Sequence, residues 1–385
     1  MRFKVIGAVL VGILLMVGSV LAQGNEQGVS DERYAHLARG LNLTTWFWYA
    51  PPDPMSRYAA GEFEMLHEMG FTFMRVPIDL GFLLDESEDM LHDEHLAMVD
   101  QGIQQLHAAG LAVIIDLHST SIDDSNAANY SGALEDPAFV EVFSNFWRNF
   151  AAHLSQYDSE TTFFQLMNEP VFYDNPGAWV PILTEVAAAA REGAPEHTLI
   201  ANTARWSSIE TLVALTPLDD PNIIYDFHFY EPFPFTHQGA TWSMDEVASL
   251  RDIPYPSSPE TLAPFVERAF GDSQREMLLN YGEERWDRQA VADYLQPAFD
   301  WAREHGVRVI NTEFGVHQPY APAADRASWI QDTRETFEAN GIGWAMWDYD
   351  TNFGMALPLG NHILLIPDVV AALGVQMPEN CPRCN

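Results

Sequence analysis

Residues 95–118 read HLAMVDQGIQQLHAAGLAVIIDLH. Two patterns meet at Gly110. Before it, Leu96, Val99, Ile103 and Leu106 recur at three- and four-residue steps, the period of a helix with one apolar face. After it comes a short apolar run broken only by Asp116, as expected of a strand covered on both sides. A glycine at the junction suits the left-handed turn that ends a helix. The same junction recurs at Gly70, Gly306 and Gly341. Working outward, eight apolar runs appear: 40–42, 71–77, 111–118, 162–168, 199–202, 223–230, 308–313 and 343–348. Helical patterns lie between them at 62–69, 95–109, 137–155, 178–193, 207–215, 288–305 and 325–340. This alternation predicts an α/β fold, a (β/α)8 TIM barrel. A doubly wound sheet lacks its usual signal, since the chain has no GxGxxG.

The chain has 385 residues and shows no linker-like tract, repeat or low-complexity segment, so one catalytic domain is expected over residues 31–375. Residues 231–287 are too long for a plain strand-to-helix connection and predict an elaborated loop after the sixth strand. Residues 376–385 form a C-terminal tail carrying Cys381 and Cys384, whose CxxC spacing is at most half a zinc site. A local disulfide is the simpler reading. Two Asn-x-Ser/Thr phrases, at Asn42 and Asn129, match the glycosylation pattern.

Charge excludes several functions. Nineteen basic residues face 55 acidic ones, for a net charge of −36. Lys4 is the only lysine. It falls within residues 1–22, where Arg2 and Lys4 precede an apolar run ending at Ala22. That pattern predicts a cleaved signal peptide in preference to a transmembrane anchor, and a secreted, extracellular or periplasmic protein. The mature chain then has no lysine for a Schiff base, a pyridoxal cofactor or a P-loop. Nucleic acid is also a poor partner for so acidic a chain. The remaining options favour neutral or cationic partners. No cofactor, no metal and no membrane contact after signal cleavage are expected, and a monomer is.

In a barrel of this kind, reactive groups sit at the carboxyl ends of the strands. There the runs place Arg75, His118, Asn168, Glu169, His228, Tyr230, Glu313 and Trp347. Singly, each has a structural explanation. Together they set two glutamates among an arginine, two histidines, a tyrosine and a tryptophan. Two carboxyl groups held in different environments are what glycoside hydrolysis requires, one to donate a proton and one to attack the sugar. The sequence holds 11 Trp. Trp46, Trp48, Trp206 and Trp242 fall in strand-end loops and are candidate stacking platforms for sugar rings, of which two are expected to serve.

Met167-Asn-Glu-Pro170 and Asn311-Thr-Glu-Phe-Gly315 resemble phrases of glycoside hydrolase family 5, the cellulase family of the large barrel-hydrolase clan. So do Arg75-Val-Pro77, Asp116-Leu-His118, His228-Phe-Tyr230 and Trp347-Asp348, in the same order along the chain. The resemblance implies a retaining enzyme, with Glu169 as acid/base and Glu313 as nucleophile. It further implies that His228 and Tyr230 tune the glutamates and that Trp347 floors the subsite of the reacting sugar. Residues 235–242, FTHQGATW, are similar to a phrase in a bacterial branch of that family holding cellulases and exoglucanases. The resemblance implies a neutral β-linked polysaccharide or oligosaccharide as partner; an endo-β-1,4-glucanase is expected, with β-mannanase and exo-β-1,3-glucanase or β-glucosidase as alternatives. Of other classes, a metal-dependent barrel hydrolase lacks its HxH, since His92-Asp-Glu-His95 reads as a solvated loop. A serine hydrolase lacks GxSxG. A catalytically inactive carbohydrate-binding protein on the same fold remains the third alternative.

Overall fold

The computed structural model describes residues 28–48, 50–85, 90–118 and 132–384. The expected signal peptide and Asn129 lie outside these residues. Eight parallel strands close into a barrel in chain order: β1 Arg39–Asn42, β2 Phe73–Asp79, β3 Ala112–His118 and β4 Thr162–Gln165 come first. They are followed by β5 Leu199–Asn202, β6 Ile223–Phe229, β7 Arg308–Phe314 and β8 Gly343–Met346. β1 pairs with β8 to complete the ring. The expected barrel is therefore observed.

Side chains alternate along each strand, so every second residue faces the barrel axis. The lower inward layer is apolar: Phe73, Ile114, Phe163, Ile200, Ile224 and Ile310 pack together in one buried cluster. Two residues further along each strand the inward layer turns polar: Arg75, Asp116, Gln165, Asn202, Asp226 and Thr312, all fully buried. The outward residues meet the surrounding helices in a separate, larger core. The barrel is thus a dry floor carrying a charged layer.

The helices begin and end where their local chemistry dictates. Asp136 caps the helix Pro137–Leu154 by accepting from the Ala138 amide, with proline in the first turn. Asp287 caps Arg288–His305 through the amides of Gln289 and Ala290. Gly70 and Gly306 close their helices at φ +113° and +65°, the left-handed region that glycine enters without a Cβ clash.

Several details differ from expectation. The stretch 231–287 is not a bare loop but carries four helices, the longest spanning Gly271–Glu284. His92 and His95 do not lie in a solvated loop; His92 precedes and caps the helix Asp93–Ala108. The expected helix at 207–215 starts only at Ile209, because Arg205, Trp206 and Ser207 are left-handed. A two-stranded hairpin, β9 Ala356–Leu359 and β10 His362–Leu365, follows the barrel.

Residues 376–384 of the C-terminal tail dock onto the domain. Cys381 and Cys384 are disulfide-bonded, and Arg383 reaches the fully buried Glu62 at 2.5 Å and Asp350 at 3.1 Å. Breaking such a buried pair leaves a carboxylate without its cation, which costs about 3–5 kcal/mol. Arg383→Ala should therefore lower stability by about 3 kcal/mol in chemical denaturation. An unchanged midpoint would show that the tail carries no fold stability.

Candidate active site

Arg75 organises the mouth of the barrel from below. Four of its N–H donors make hydrogen bonds, and an ion pair adds a fifth contact. Nε donates to Gln165 at 2.6 Å, one terminal nitrogen to Asn42 and Glu313 at 2.8 Å each, and the other to Asn168 at 2.7 Å. That last nitrogen also meets Asp116 at 3.0 Å. Burial opposes the guanidinium charge, but Asp116, Glu313 and Asp226 outweigh it and hold its pKa above the ordinary value. A lysine, with three donors on one atom, cannot replace this fork.

Thr312 and Glu313 are neighbours on β7, so strict alternation would send one of them outward. The pairing of β6 with β7 shifts register at Phe227/His228, so that Phe227 opposes Asn311 and His228 opposes Glu313. A bulge of this kind re-aims a side chain. Asp226 holds it, accepting from the Thr312 amide at 2.9 Å and the Thr312 hydroxyl at 2.8 Å. Glu313 thereby points into the site, 4% exposed.

His228 joins the two glutamates. Its Nδ1 lies 2.8 Å from Glu169 and 3.6 Å from Glu313, and its Nε2 lies 3.1 Å from Asp226. Burial lowers its pKa, but the Glu313 and Asp226 carboxylates prevail and raise it to about 10. Tyr230 donates to the second oxygen of Glu313 at 2.9 Å. Burial, then Glu313 and Glu169, push that phenol well above its usual range, so it remains a donor. Burial raises Glu313 above the ordinary carboxylate range, while His228 and Arg75 pull it back. Glu169 sits at φ +42°, a conformation that costs a non-glycine residue energy and is held here by its surroundings.

The eight residues expected at the strand ends are thus brought together. His118 binds Asp116 at 2.9 Å and approaches Asn168 at 3.3 Å. Its ring stacks on Trp347 with 5.5 Å between centroids. Trp48 closes the same corner, 4.0 Å from His118 and 5.7 Å from Trp347. Trp206 and Trp242 lie on the rim, 48% and 62% exposed. Trp46 is a correction: it is 1% exposed and packs against Phe47, Tyr58 and Phe63, so no sugar can reach it. Asn42 is a second. Its amide donates to the carbonyls of Thr312 and Met346 inside the barrel, which precludes a glycan there. Sequence reasoning gave no role within the site to Asn42, Gln165, Asn202, Asp226 or Thr312. Counting two residues back along the strand from His228 would have found Asp226; the others follow only from the register of the barrel.

One carboxylate oxygen each of Glu169 and Glu313 and one ring nitrogen of His228 lie within 4.8 Å of one another. That spacing resembles a metal site. In this structure the histidine meets protein partners on both nitrogens, Glu169 at Nδ1 and Asp226 at Nε2.

A closed parallel barrel with two glutamates this close at its carboxyl mouth defines a carbohydrate-cleaving hydrolase class. Residues 31–353 match the family model of cellulase, glycosyl hydrolase family 5. The chain belongs to that family, and so to the glycoside hydrolases. Endoglucanase 3 of Fibrobacter succinogenes is 28% identical over 90% of this chain, which spans 54% of that relative's length. Endoglucanase C of Acetivibrio thermocellus is 28% identical over 75% of this chain and 82% of its own. Thermotoga maritima Cel5A, in complex with cellobiose, aligns at TM-score 0.70 and 24% identity over 89% of this chain and 99% of that one. Cel5A in complex with mannotriose aligns at TM-score 0.70 and 23% identity over the same shares. These two likenesses show the fold.

The His228 geometry makes a direct prediction. In a histidine-detected NMR titration its ring should stay protonated through neutral pH and titrate near pH 10. A pKa raised in the folded state contributes stability that is complete below the unfolded value of about 6.5 and lost as pH rises through 10. His228→Asn should flatten that alkaline decline in a denaturation series. A His228 that titrates near 6.5 would refute the cationic bridge.

Proposed function

We propose that this chain is a secreted, retaining endo-β-1,4-glucanase that acts as a monomer. The observation that carries the mechanism is the spacing of Glu169 and Glu313, one carboxylate oxygen of each lying within 4.8 Å of the other. Retaining glycosidases hold their carboxyl groups about 5–5.5 Å apart, whereas inverting ones leave about 6.5–9.5 Å for a water. Residues 1–22, with their basic start and apolar run, support secretion. Among the described residues no helix is long and apolar enough to cross a membrane.

Glu313 attacks the anomeric carbon. Arg75 and Tyr230 hold its two oxygens, so one face of the carboxylate is fixed toward the sugar. Glu169 protonates the departing oxygen and then takes a proton from the water that releases the glycosyl-enzyme. Asn168, anchored by Arg75 and facing His118, lies where a 2-hydroxyl of the reacting sugar would bind. Trp347 offers the face beneath that sugar. The endoglucanase names of the relatives support β-1,4-glucan as substrate. β-Mannan is the second reading, favoured by the mannotriose complex of a structural neighbour.

Glu169→Ala should slow hydrolysis of carboxymethylcellulose by about 10²–10⁴-fold, and Glu313→Ala by more. With an activated aryl glycoside and azide, Glu169→Ala should form the β-glycosyl azide and Glu313→Ala the α-glycosyl azide. Exchanged products would reverse the two roles. Tyr230→Phe removes a donor from the ionised Glu313, which raises its pKa. Activity needs that carboxylate ionised, so the acid limb of the kcat/KM profile should move to higher pH by about one unit. A shift to lower pH would contradict the assignment.

A further inference from the structure

The stretch matched to the family ends at residue 353, and the chain beyond it returns to the loops that follow β1 and β8. The Gln376 amide donates to the Met69 carbonyl at 3.0 Å, and the Arg383 carbonyl accepts from the Ile363 amide at 3.0 Å. The Cys381–Cys384 disulfide closes the short turn that carries Arg383. From this turn the Arg383 guanidinium enters a buried cluster. Its Nε donates to Glu62 at 2.8 Å, and one terminal nitrogen reaches both Glu62 and Asp350, at 2.5 and 3.1 Å. The rings of Tyr58 and Tyr349 lie 5.7 and 5.9 Å from it.

The charges of the cluster balance. Glu62 and Asp350 face Arg383 and Arg57, and Arg57 meets at 2.6 Å the same Asp350 oxygen that Arg383 meets. What the cluster grips is the chain just after Trp347. Asp350 stands three residues beyond that tryptophan. The Tyr349 hydroxyl donates to Glu62 at 2.7 Å, and its amide donates to the Asn42 carbonyl at 3.1 Å. Asp348 accepts from the Thr44 hydroxyl and from the Thr351 amide at 3.0 Å. Arg57 also donates to Thr45 at 2.8 Å, so the chain leading to Trp48 is tied to the same cluster. Contact between an indole face and a sugar is a dispersion contact, and a gap of about 0.5–1 Å forfeits about a quarter to a half of it. The height of the Trp347 ring is therefore worth fixing from behind.

We propose that Arg383 is a positioning residue: by holding Asp350 and Glu62 it sets the Trp347 ring against the reacting sugar, so that the C-terminal tail contributes to activity without touching substrate. This rests on the β-glucan reading above, with Trp347 beneath the reacting sugar.

The test measures kcat/KM on an aryl β-cellobioside at a temperature where each variant is folded by circular dichroism. Arg383→Gln leaves buried carboxylates in excess and should lower the melting temperature. Glu62→Gln combined with Arg383→Gln removes one charge of each sign and leaves the Arg57–Asp350 pair, so the melting temperature should return close to that of wild type. Its kcat/KM should nevertheless stay about 10-fold down, since a displacement of about 1 Å at the reacting sugar can cost about 10²-fold. Arg383→Lys, which keeps a cation against the carboxylates, should lose less than Arg383→Gln. In a Trp347→Ala background the double substitution should change kcat/KM by less than about 2-fold, because the ring it positions is gone. A double variant that regains full activity along with its stability, or an equal loss with Trp347 removed, would overturn the role and leave Arg383 a structural residue. A wild type inert on cellobiosides would instead overturn the substrate reading, and a Trp347→Ala enzyme as active as wild type would overturn the place given to that ring; this inference falls with either.

Discussion

A buried guanidinium needs carboxylates, and carboxylates placed to satisfy it become a site. Arg75 has no exposed surface and meets Asp116 and Glu313 directly. Isolating such a charge from water is costly unless it is paired and fully hydrogen-bonded. The five acceptors come from β1, β2's neighbours β3 and β4, the turn after β4, and β7. Satisfying one side chain therefore fixes the relative height of strands on opposite sides of the barrel. Loss of Glu313 would leave Arg75 with Asp116 as its direct anionic partner, so the reactive carboxylate is also a structural one.

The layering explains how a polar site survives above a packed core. The apolar floor excludes water from beneath, which strengthens every charge interaction in the layer above it. Asp226 shows what that layer does. It braces His228, Thr312, Gln165 and Asn202, and its contacts with Thr312 stabilise the register shift that turns Glu313 inward. The bulge, the cationic histidine and the inward glutamate are thus one arrangement.

The barrel was legible because its signals are local: apolar runs, helical periods and junction glycines at 70, 110, 306 and 341 all carry their own conformational reason. The strand-end residues were legible because a strand's end is easily counted. What escaped depends on long-range contact. Trp46 and Trp48 are two residues apart in one loop, yet one is sealed against Phe63 and the other closes the site beside His118. Nothing in their sequence neighbourhood separates them. Asn42 carries a sequon, and only the closure of β1 against β8 shows that it faces inward. Arg383 lies past the last helix, and its buried partner Glu62 is 321 residues away.

The two glutamates differ less in chemistry than in access, and that difference suits the roles proposed for them. Glu313 is enclosed, with Arg75, Tyr230 and His228 on its oxygens and its side chain 5% exposed. A nucleophile should be immobile and dry, since misplacement and water both weaken attack. The Glu169 side chain is 21% exposed and hangs from a left-handed residue at the lip of the barrel. A group that must give a proton in one step and take one from water in the next has to meet solvent between them. Its neighbours Phe172, Arg205, Trp206 and Ser207 also have positive φ. Strained backbone gathers on this open side, while the Glu313 side is held by regular strand and bulge. The regular half of the mouth holds the group proposed to bond to sugar, and the irregular half holds the group proposed to exchange protons.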